Sequence, residues 1–224
     1  MSILVLSCGR TGTNMVTEML RGDSSLVALP HDDNSLFREP RSLPENYLAK
    51  TDTHYIDSQE QIDVVLRNNP DLKIVWTVRD FRDVAMSKIY RGQPGQDNNN
   101  TLADDASIEG CEKDMMWMWE CYMFIKKNYP KRLFLFKMEA LLNNPEASAR
   151  MLSDQLNLTY TPNMLSFASR MRNTNKKSRY KGIDKSQISL YDRKAEVYNG
   201  FFKDYNFGNL EKVSADLNKF FNYL

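Results

Sequence analysis

Val5-Leu-Ser-Cys-Gly-Arg-Thr-Gly-Thr-Asn14 places a short apolar run directly before a glycine-punctuated, hydroxyl-rich turn, and the helical pattern Met15–Leu20 follows at once. The order reads as strand, anion-binding loop, helix. A helix N-terminus leaves several backbone N–H groups without intrahelical partners and carries the positive end of the helix dipole. A loop that wraps those groups is therefore a preformed cradle for phosphate or sulfate. Gly9 and Gly12 allow close approach of the backbone, while Thr11, Thr13 and Asn14 add side-chain donors. A Walker A loop requires Gly, four residues, then Gly-Lys-Ser/Thr. Here the spacing is shorter and Arg10 is the only cation, which disfavours an ordinary nucleoside-triphosphate kinase. Taken alone, Gly-x-x-Gly after a strand is equally the mark of a plain tight turn.

Outward from this loop, strands alternate with helices. Ile3–Ser7, Leu26–Leu29, Tyr47–Thr51, Lys73–Val78 and Arg132–Phe136 read as strands. Ser58 caps a helix over Gln59–Arg67, Asp80 caps one running to about Tyr90, and a long Met- and Trp-rich helix fits Ile108–Asn128. The alternation predicts an α/β fold: one domain over residues 1–224, in three layers, with a mostly parallel central sheet covered by helices on both faces. Gly92–Asp105, with Pro94, Gly95 and the Asn98–Asn100 run, reads as a surface loop.

Composition narrows the function classes. With 224 residues and a formal net charge of +1, no global field drives binding to nucleic acid or membrane, and any basic site is local. Cys8, Cys111 and Cys121 are odd in number and lack metal-ligand spacing, so they read as buried free thiols in a reducing compartment. No His/Cys/Asp cluster has ligand spacing either, and no metal is implied. The first strand leaves no room for a secretory leader and no apolar run reaches membrane-spanning length. The expectation is a soluble, cytoplasmic chain. The sequence leaves the oligomeric state open.

A second informative segment is Ile74-Val-Trp-Thr-Val-Arg79-Asp-Phe-Arg82-Asp83-Val-Ala-Met-Ser87. Arg79 stands at the end of a buried strand, where open α/β sheets bind ligands, and Ser87 lies on the helix that follows. The planar fork of arginine gives two parallel charge-assisted hydrogen bonds to a phosphate and serine adds a third donor. The competing reading is an Arg79–Asp83 ion pair that closes the strand-helix turn.

With two anion loops in one sheet, the chain resembles the PAPS-dependent sulfotransferase family (PAPS, 3′-phosphoadenosine 5′-phosphosulfate). Cys8-Gly-Arg-Thr-Gly-Thr-Asn14 is similar to the family's 5′-phosphosulfate loop, although Cys8-Gly9 replaces a residue-Pro pair and Asn14 a second threonine. Arg79-Asp-Phe-Arg-Asp-Val-Ala-Met-Ser87 resembles the 3′-phosphate motif, including its Arg-to-Ser spacing. Leu135-Phe-Lys-Met-Glu139-Ala-Leu-Leu-Asn-Asn-Pro145 and Asp204-Tyr-Asn-Phe-Gly208 are similar to later family segments, so the resemblance spans nearly the whole chain.

The resemblance implies a P-loop NTPase-like sulfotransferase architecture and transfer of a sulfuryl group from PAPS to an acceptor hydroxyl or amine. Gly9, Arg10, Thr11, Gly12, Thr13 and Asn14 would hold the 5′ end, and Arg79 and Ser87 the 3′-phosphate. Both histidines are candidate general bases, since the ordinary histidine pKa of about 6.5 suits that role. His54, in Lys50-Thr-Asp-Thr-His54, resembles the family's Lys-Thr-His segment with two residues inserted. It is favoured because Lys50 beside it would stabilise the bridging oxygen. His31, Asp33 and Glu39 are the alternatives.

Arg170, Arg172, Lys176, Lys177, Arg179, Lys181 and Lys185 form a basic stretch. Within it, Arg179-Tyr-Lys181-Gly182 is similar to the family's late nucleotide-closing loop, and a solvated loop is the alternative. Glu139, by the same analogy, pins a strand end. The Met115–Trp119 run reads chiefly as core, with Trp119, Tyr122 and Met123 on one helical face and Trp117 free to line an acceptor pocket. The polar loops His31–Asn46 and Gly92–Asp105 point to a carbohydrate or peptide acceptor rather than a steroid-like small molecule. Two other classes compete: a non-catalytic nucleotide-binding homologue, and a metal-dependent phosphotransferase with a shortened P-loop.

Overall fold

The computed structural model describes residues 1–29, 32–91, 107–167, 169 and 207–223. The expectations for His31, for the loop 92–105, and for the stretch 170–185 with Arg179, Lys181 and Gly182 lie outside the described residues. Five strands, β1 (Ser2–Ser7), β2 (Val27–Ala28), β3 (Tyr47–Asp52), β4 (Leu72–Val78) and β5 (Leu133–Lys137), form one sheet in the order β2-β3-β1-β4-β5. Every pairing among them is parallel. Between and after the strands run α1 (Thr13–Leu20), α2 (Gln59–Asn68), α3 (Phe81–Arg91), α4 (Ile108–Asn128), α5 (Met138–Asn143), α6 (Pro145–Leu156) and α7 (Asn209–Phe220).

A parallel sheet covered on both faces demands strands without a polar side, and β1 is buried at all six positions. Its residues alternate between two cores. Ile3 and Val5 join Leu48, Val75 and Phe136 under α1, α5 and α6. Leu4 and Leu6 join Ile74 and Trp76 under α2, α3, α4 and α7. The result is the expected three-layer α/β fold. The sequence reading located β1, β3, β4 and the long α4 within a residue or so, but α5, α6 and α7 lay outside it. α5 spans only Met138–Asn143, and α7 follows a stretch that no apolar period marked.

Helix ends obey local chemistry. Ser58 accepts from Gln61 N at the start of α2, Ser107 from Gly110 N at α4, and Asn144 from Ala147 N at α6, where Pro145 takes the first position. On α4 the buried stripe is Cys111, Asp114, Met115, Met118, Cys121, Tyr122 and Ile125. Trp119 and Met123 are only partly buried. Trp119 meets Phe220 edge-on, with centroids 6.3 Å apart, because α7 covers that flank instead of the sheet. No described helix is long and apolar enough to cross a membrane.

α7 closes the structure over the start of α3. Asn218, fully buried, accepts from Phe81 N at 2.8 Å and donates to Asp80 Oδ1 at 2.8 Å. Asp80 Oδ1 also accepts from Arg82 N at 3.0 Å, the N-cap bond anticipated from the sequence. Burial alone would raise the Asp80 carboxyl, yet the hydrogen bonds from Arg82 and Asn218 hold it below the ordinary Asp range. Asn218→Ala strands the buried Phe81 N–H. It is expected to lower unfolding free energy by about 1–3 kcal/mol, whereas Lys219→Ala changes it by less than about 0.5 kcal/mol, both read from urea unfolding.

Candidate functional site

β1 connects through α1 toward β2 and β3, whereas β4 lies on its other side and leads on to β5. The crevice between the C-terminal ends of β1 and β4 is thus the switch point, where open α/β sheets take ligands. Both segments read from the sequence as candidate anion loops reach it.

On the β1 side, the chain leaves Ser7 through Cys8–Gly12 and enters α1. Gly12 is left-handed (φ 97°), caps α1 without a side-chain bond, and is followed by no acidic residue in the first turn. Met15 N and Val16 N bond the Gly12 carbonyl at 3.0 and 3.2 Å. The helix therefore begins with no carboxylate in its own first turn to cap its positive end, a feature that suits an anion site. Arg10 is exposed and also left-handed (φ 76°), an unfavourable backbone for a residue with a Cβ and of the kind found at functional loops. Thr11, fully buried, donates to Cys8 O at 2.8 Å, so its contact at 2.9 Å with Thr77 is one in which Thr77 donates.

On the β4 side, Arg79 and Ser87 are both buried. Arg79 Nη2 donates to Asp83 Oδ2 at 3.0 Å, the ion pair weighed as the competing reading of this turn. Arg10 Nε donates to Ser87 Oγ at 2.9 Å. The two segments, 77 positions apart for this pair, are thereby tied across the crevice by Thr11–Thr77 and Arg10–Ser87. Glu139, at the first turn of α5, accepts from Asp80 N at 2.9 Å and from the Tyr223 hydroxyl at 2.7 Å, so it does hold the end of β4.

β3 supplies the third wall. Lys50 pairs with Asp32 at 2.5 Å. Asp52 is the last strand residue and stands opposite Ser7 in the register. His54 follows on a 3-10 turn, Thr53–Tyr55, its ring tilted 44° against that of Tyr55 with centroids 3.9 Å apart and with Nε2 sealed from solvent without a hydrogen-bond partner. Trp117 clips this turn by donating to Thr53 O at 3.2 Å and Ile56 O at 2.9 Å, which gives its indole N–H a backbone role. Asp33 is buried and accepts from Arg41 at 2.6 Å and from the Tyr47 hydroxyl; burial, then Asp33, raises the Tyr47 phenol. Asp33 is thus occupied in holding segment 32–47, and Glu39 is exposed.

Beneath the loop lies a buried polar cluster that the sequence reading missed. Lys88 Nζ pairs with Asp114 Oδ2 at 2.5 Å, with both side chains nearly inaccessible. A Cβ on Gly9 would lie 3.7 Å from both Lys88 Nζ and Asp52 Oδ2, so both charges adjoin the loop. Burial, then Asp114, pushes the Cys8 thiol well above its ordinary value, which makes it inert. The three cysteines are free and buried, as expected. Among the described residues no group of His, Cys, Asp and Glu has a metal-binding arrangement.

Comparison with known proteins bears on this arrangement. A family model described as the sulfotransferase family matches residues 34–162, more than half of the chain. The sulfotransferase domain of a Synechococcus olefin synthase superposes with a TM-score of 0.64 at 14% identity, covering 99% of this chain and 94% of its own. A mouse sulfotransferase solved with PAP gives 0.57 at 14%, covering 91% and 83%. The sulfotransferase domain from the curacin biosynthetic pathway gives 0.55 at 16%, covering 96% of each. At these identities the superpositions show a shared fold. No curated protein matches the chain by sequence.

The loop geometry makes a direct prediction. A Cβ on Gly12 would lie 3.0 Å from Met138 Cγ and Sδ, at a φ that L side chains avoid, whereas one on Gly9 meets only ordinary contacts. Gly12→Ala is expected to cost about 1–3 kcal/mol of stability and Gly9→Ala less than about 1 kcal/mol, compared by urea midpoints.

Proposed function

This chain belongs to the sulfotransferase family, and we propose that it moves a sulfuryl group from PAPS to the hydroxyl or amine of a carbohydrate or peptide acceptor. The observation that carries the reading is the Arg10–Ser87 hydrogen bond. It joins the helix-capping loop to the second anion segment across a single crevice, as a ligand with phosphates at both the 5′ and 3′ positions requires. The residues present fit such a group: α1 opens on a glycine cap with no carboxylate in its first turn, and Arg79 and Ser87 stand at the opposite lip.

PAPS supplies a sulfuryl group joined through a bridging oxygen to its 5′-phosphate. In this chain, Arg10 and the backbone N–H groups of Gly12, Thr13 and Asn14 would hold the 5′-phosphate and stabilise the charge that collects on the bridging oxygen. Lys50, drawn from Asp32, would add a second cation there. Arg79 and Ser87 would hold the 3′-phosphate. Positioned donors of this kind do most of the work in an in-line displacement that needs no metal. Arg179, Lys181 and Gly182 are assigned to closing the nucleotide site on the resemblance alone. The exposed, charged segment with Arg38, Glu39 and Arg41 supports a polar acceptor.

Calorimetry with adenosine 3′,5′-bisphosphate tests the nucleotide assignment. The native chain is expected to bind it with EDTA present, and Ser87→Ala to weaken it about tenfold while leaving adenosine 5′-phosphate within about twofold, the loss of one charge-assisted hydrogen bond. Arg79→Lys, which keeps a cation beside Asp83, is expected to discriminate in the same direction. Equal losses for both nucleotides overturn the 3′-phosphate assignment, and a requirement for Mg²⁺ with preference for ATP replaces it with phosphoryl transfer.

A further inference from the structure

Candidates for the acceptor's proton narrow once the end of β3 is traced. Asp33 is bound to Arg41 and Tyr47, Glu39 is exposed, and His31 lies outside the described residues. His54 sits two residues beyond the strand, on the turn that Trp117 clips, and its Nε2, like one oxygen of Asp52, is buried without a hydrogen-bond partner; what separates the two is position. Asp52 differs from all of these. It ends the strand directly opposite Ser7, where β1 releases the anion loop. Its Oδ2 adjoins Gly9, 3.7 Å from where a Cβ would stand. Its other oxygen, Oδ1, is buried without a hydrogen-bond partner.

We propose that Asp52 is the general base of the transfer, with His54 a neighbour that shapes its surroundings. The inference rests on the sulfuryl-transfer reading given above. A buried carboxylate oxygen without a donor is costly to a fold, and a proton-accepting role is one reason to keep it; Asp83 and Asp114 also carry such an oxygen, so it is the place of Asp52 beside the loop that singles it out. The position suits the task, because Asp52 flanks the same loop that carries Arg10, so acceptor and sulfuryl donor meet between β1 and β3. In the step, the acceptor O–H gives its proton to Asp52 while its oxygen forms a bond to sulfur. The bond from sulfur to the bridging oxygen breaks, and its electron pair stays on the 5′-phosphate. The products are a sulfate ester, the 3′,5′-bisphosphate and a protonated Asp52, which returns its proton to solvent.

The charged and titratable groups around Asp52 come from several elements. Lys50 lies on its own strand and pairs with Asp32; His54 and Tyr55 lie on the following turn; Lys88 comes from α3 with Asp114 of α4 behind it; Cys8 belongs to the loop. Burial raises the Asp52 carboxyl above the ordinary Asp range against the pull of Lys50, His54 and Lys88, and Asp32 adds to the rise. That direction makes it a stronger base than a surface aspartate. A raised carboxyl also means that ionisation weakens the fold as pH rises through its folded value, so replacing it with a neutral amide is not expected to destabilise the protein at neutral pH.

Full-length Asp52→Asn, Asp52→Glu and His54→Gln are compared with the native chain in three measurements: bisphosphate binding by calorimetry, release of sulfate from PAPS with water as acceptor, and thermal midpoint at pH 7.5. Asp52→Asn is expected to bind the bisphosphate within about threefold of native, to melt no lower than native, and to release sulfate at least about 100-fold more slowly. Asp52→Glu is expected to recover part of that rate, and His54→Gln to keep at least about a third of it. An Asp52→Asn that releases sulfate at the native rate, or that melts several degrees lower, overturns the assignment; so does a His54→Gln as slow as Asp52→Asn. A native chain that neither binds the bisphosphate nor cleaves PAPS removes the sulfuryl-transfer reading itself and Asp52 with it.

Discussion

The registration of β1 between β3 and β4 is the constraint on which the rest of the structure depends. Ser7 stands opposite Asp52 on one side, and Leu6 opposite Trp76 on the other. With both faces of β1 buried, a slip of one residue would exchange the two cores, sending Ile3 and Val5 to the α2, α3, α4 and α7 side. The loop that leaves β1 can therefore occupy one place only, between the ends of its two neighbours. Side chains then repeat what the backbone has set: Thr11 meets Thr77, and Arg10 reaches Ser87. Because these ties join segments far apart in sequence, the crevice is assembled by the sheet before any ligand arrives.

Helix α3 carries more of the site than a strand-turn-helix motif suggests. Ser87 faces the crevice lip through Arg10, and Lys88, the next residue, is buried against Asp114 of α4 beside Gly9. A buried ion pair gives little net stability compared with apolar residues of the same shape, since desolvation offsets most of the attraction. Its effect here is positional. Removing either partner would leave a charge in the core, so α3, α4 and the loop are locked in relative placement. α7 holds the other end of α3 through Asn218, and Glu139 of α5 holds the turn between β4 and α3. The anion segments are thus braced by helices from both faces of the sheet.

What was legible in the sequence follows from local rules. The apolar runs of β1 and β4, the glycines flanking Arg10, the Asp80 cap and the buried stripe of α4 all express periods or turn chemistry confined to a few residues. The three-layer parallel fold followed from their alternation. The contacts that make a site of these parts were not legible, because they are long-range. Nothing near Lys88 announces Asp114, and nothing near Gly9 announces Asp52. His54 drew attention as a histidine near Lys50, yet a strand turns successive side chains to opposite faces and β3 stops at Asp52. The side chain at the strand's end is the carboxylate, and the histidine belongs to the turn beyond it. Trp119 illustrates the same limit: its helical period was right, but the covering element, α7, could not be inferred.

The Arg79–Asp83 ion pair is compatible with the ligand-binding role proposed for Arg79. Asp83 lies one helical turn before Ser87 on α3 and is buried to 1% of its side-chain surface, with Arg79 at 5%. An arginine held in this way has already lost most of its rotamer freedom, so a phosphate arriving beside it meets donors whose ordering cost is carried by the fold. The carboxylate also tempers the site. It balances the guanidinium where β4 ends, so the arginine can be buried at all, and an anion must interact with a fork already engaged on one side. On the proposed 3′-phosphate role of these two residues, selectivity would rest on geometry, on an anion placed to meet Arg79 and Ser87 together. A bare cationic cleft would accept any nucleotide; a braced and partly neutralised one favours a ligand whose two charged ends fit both lips of the crevice.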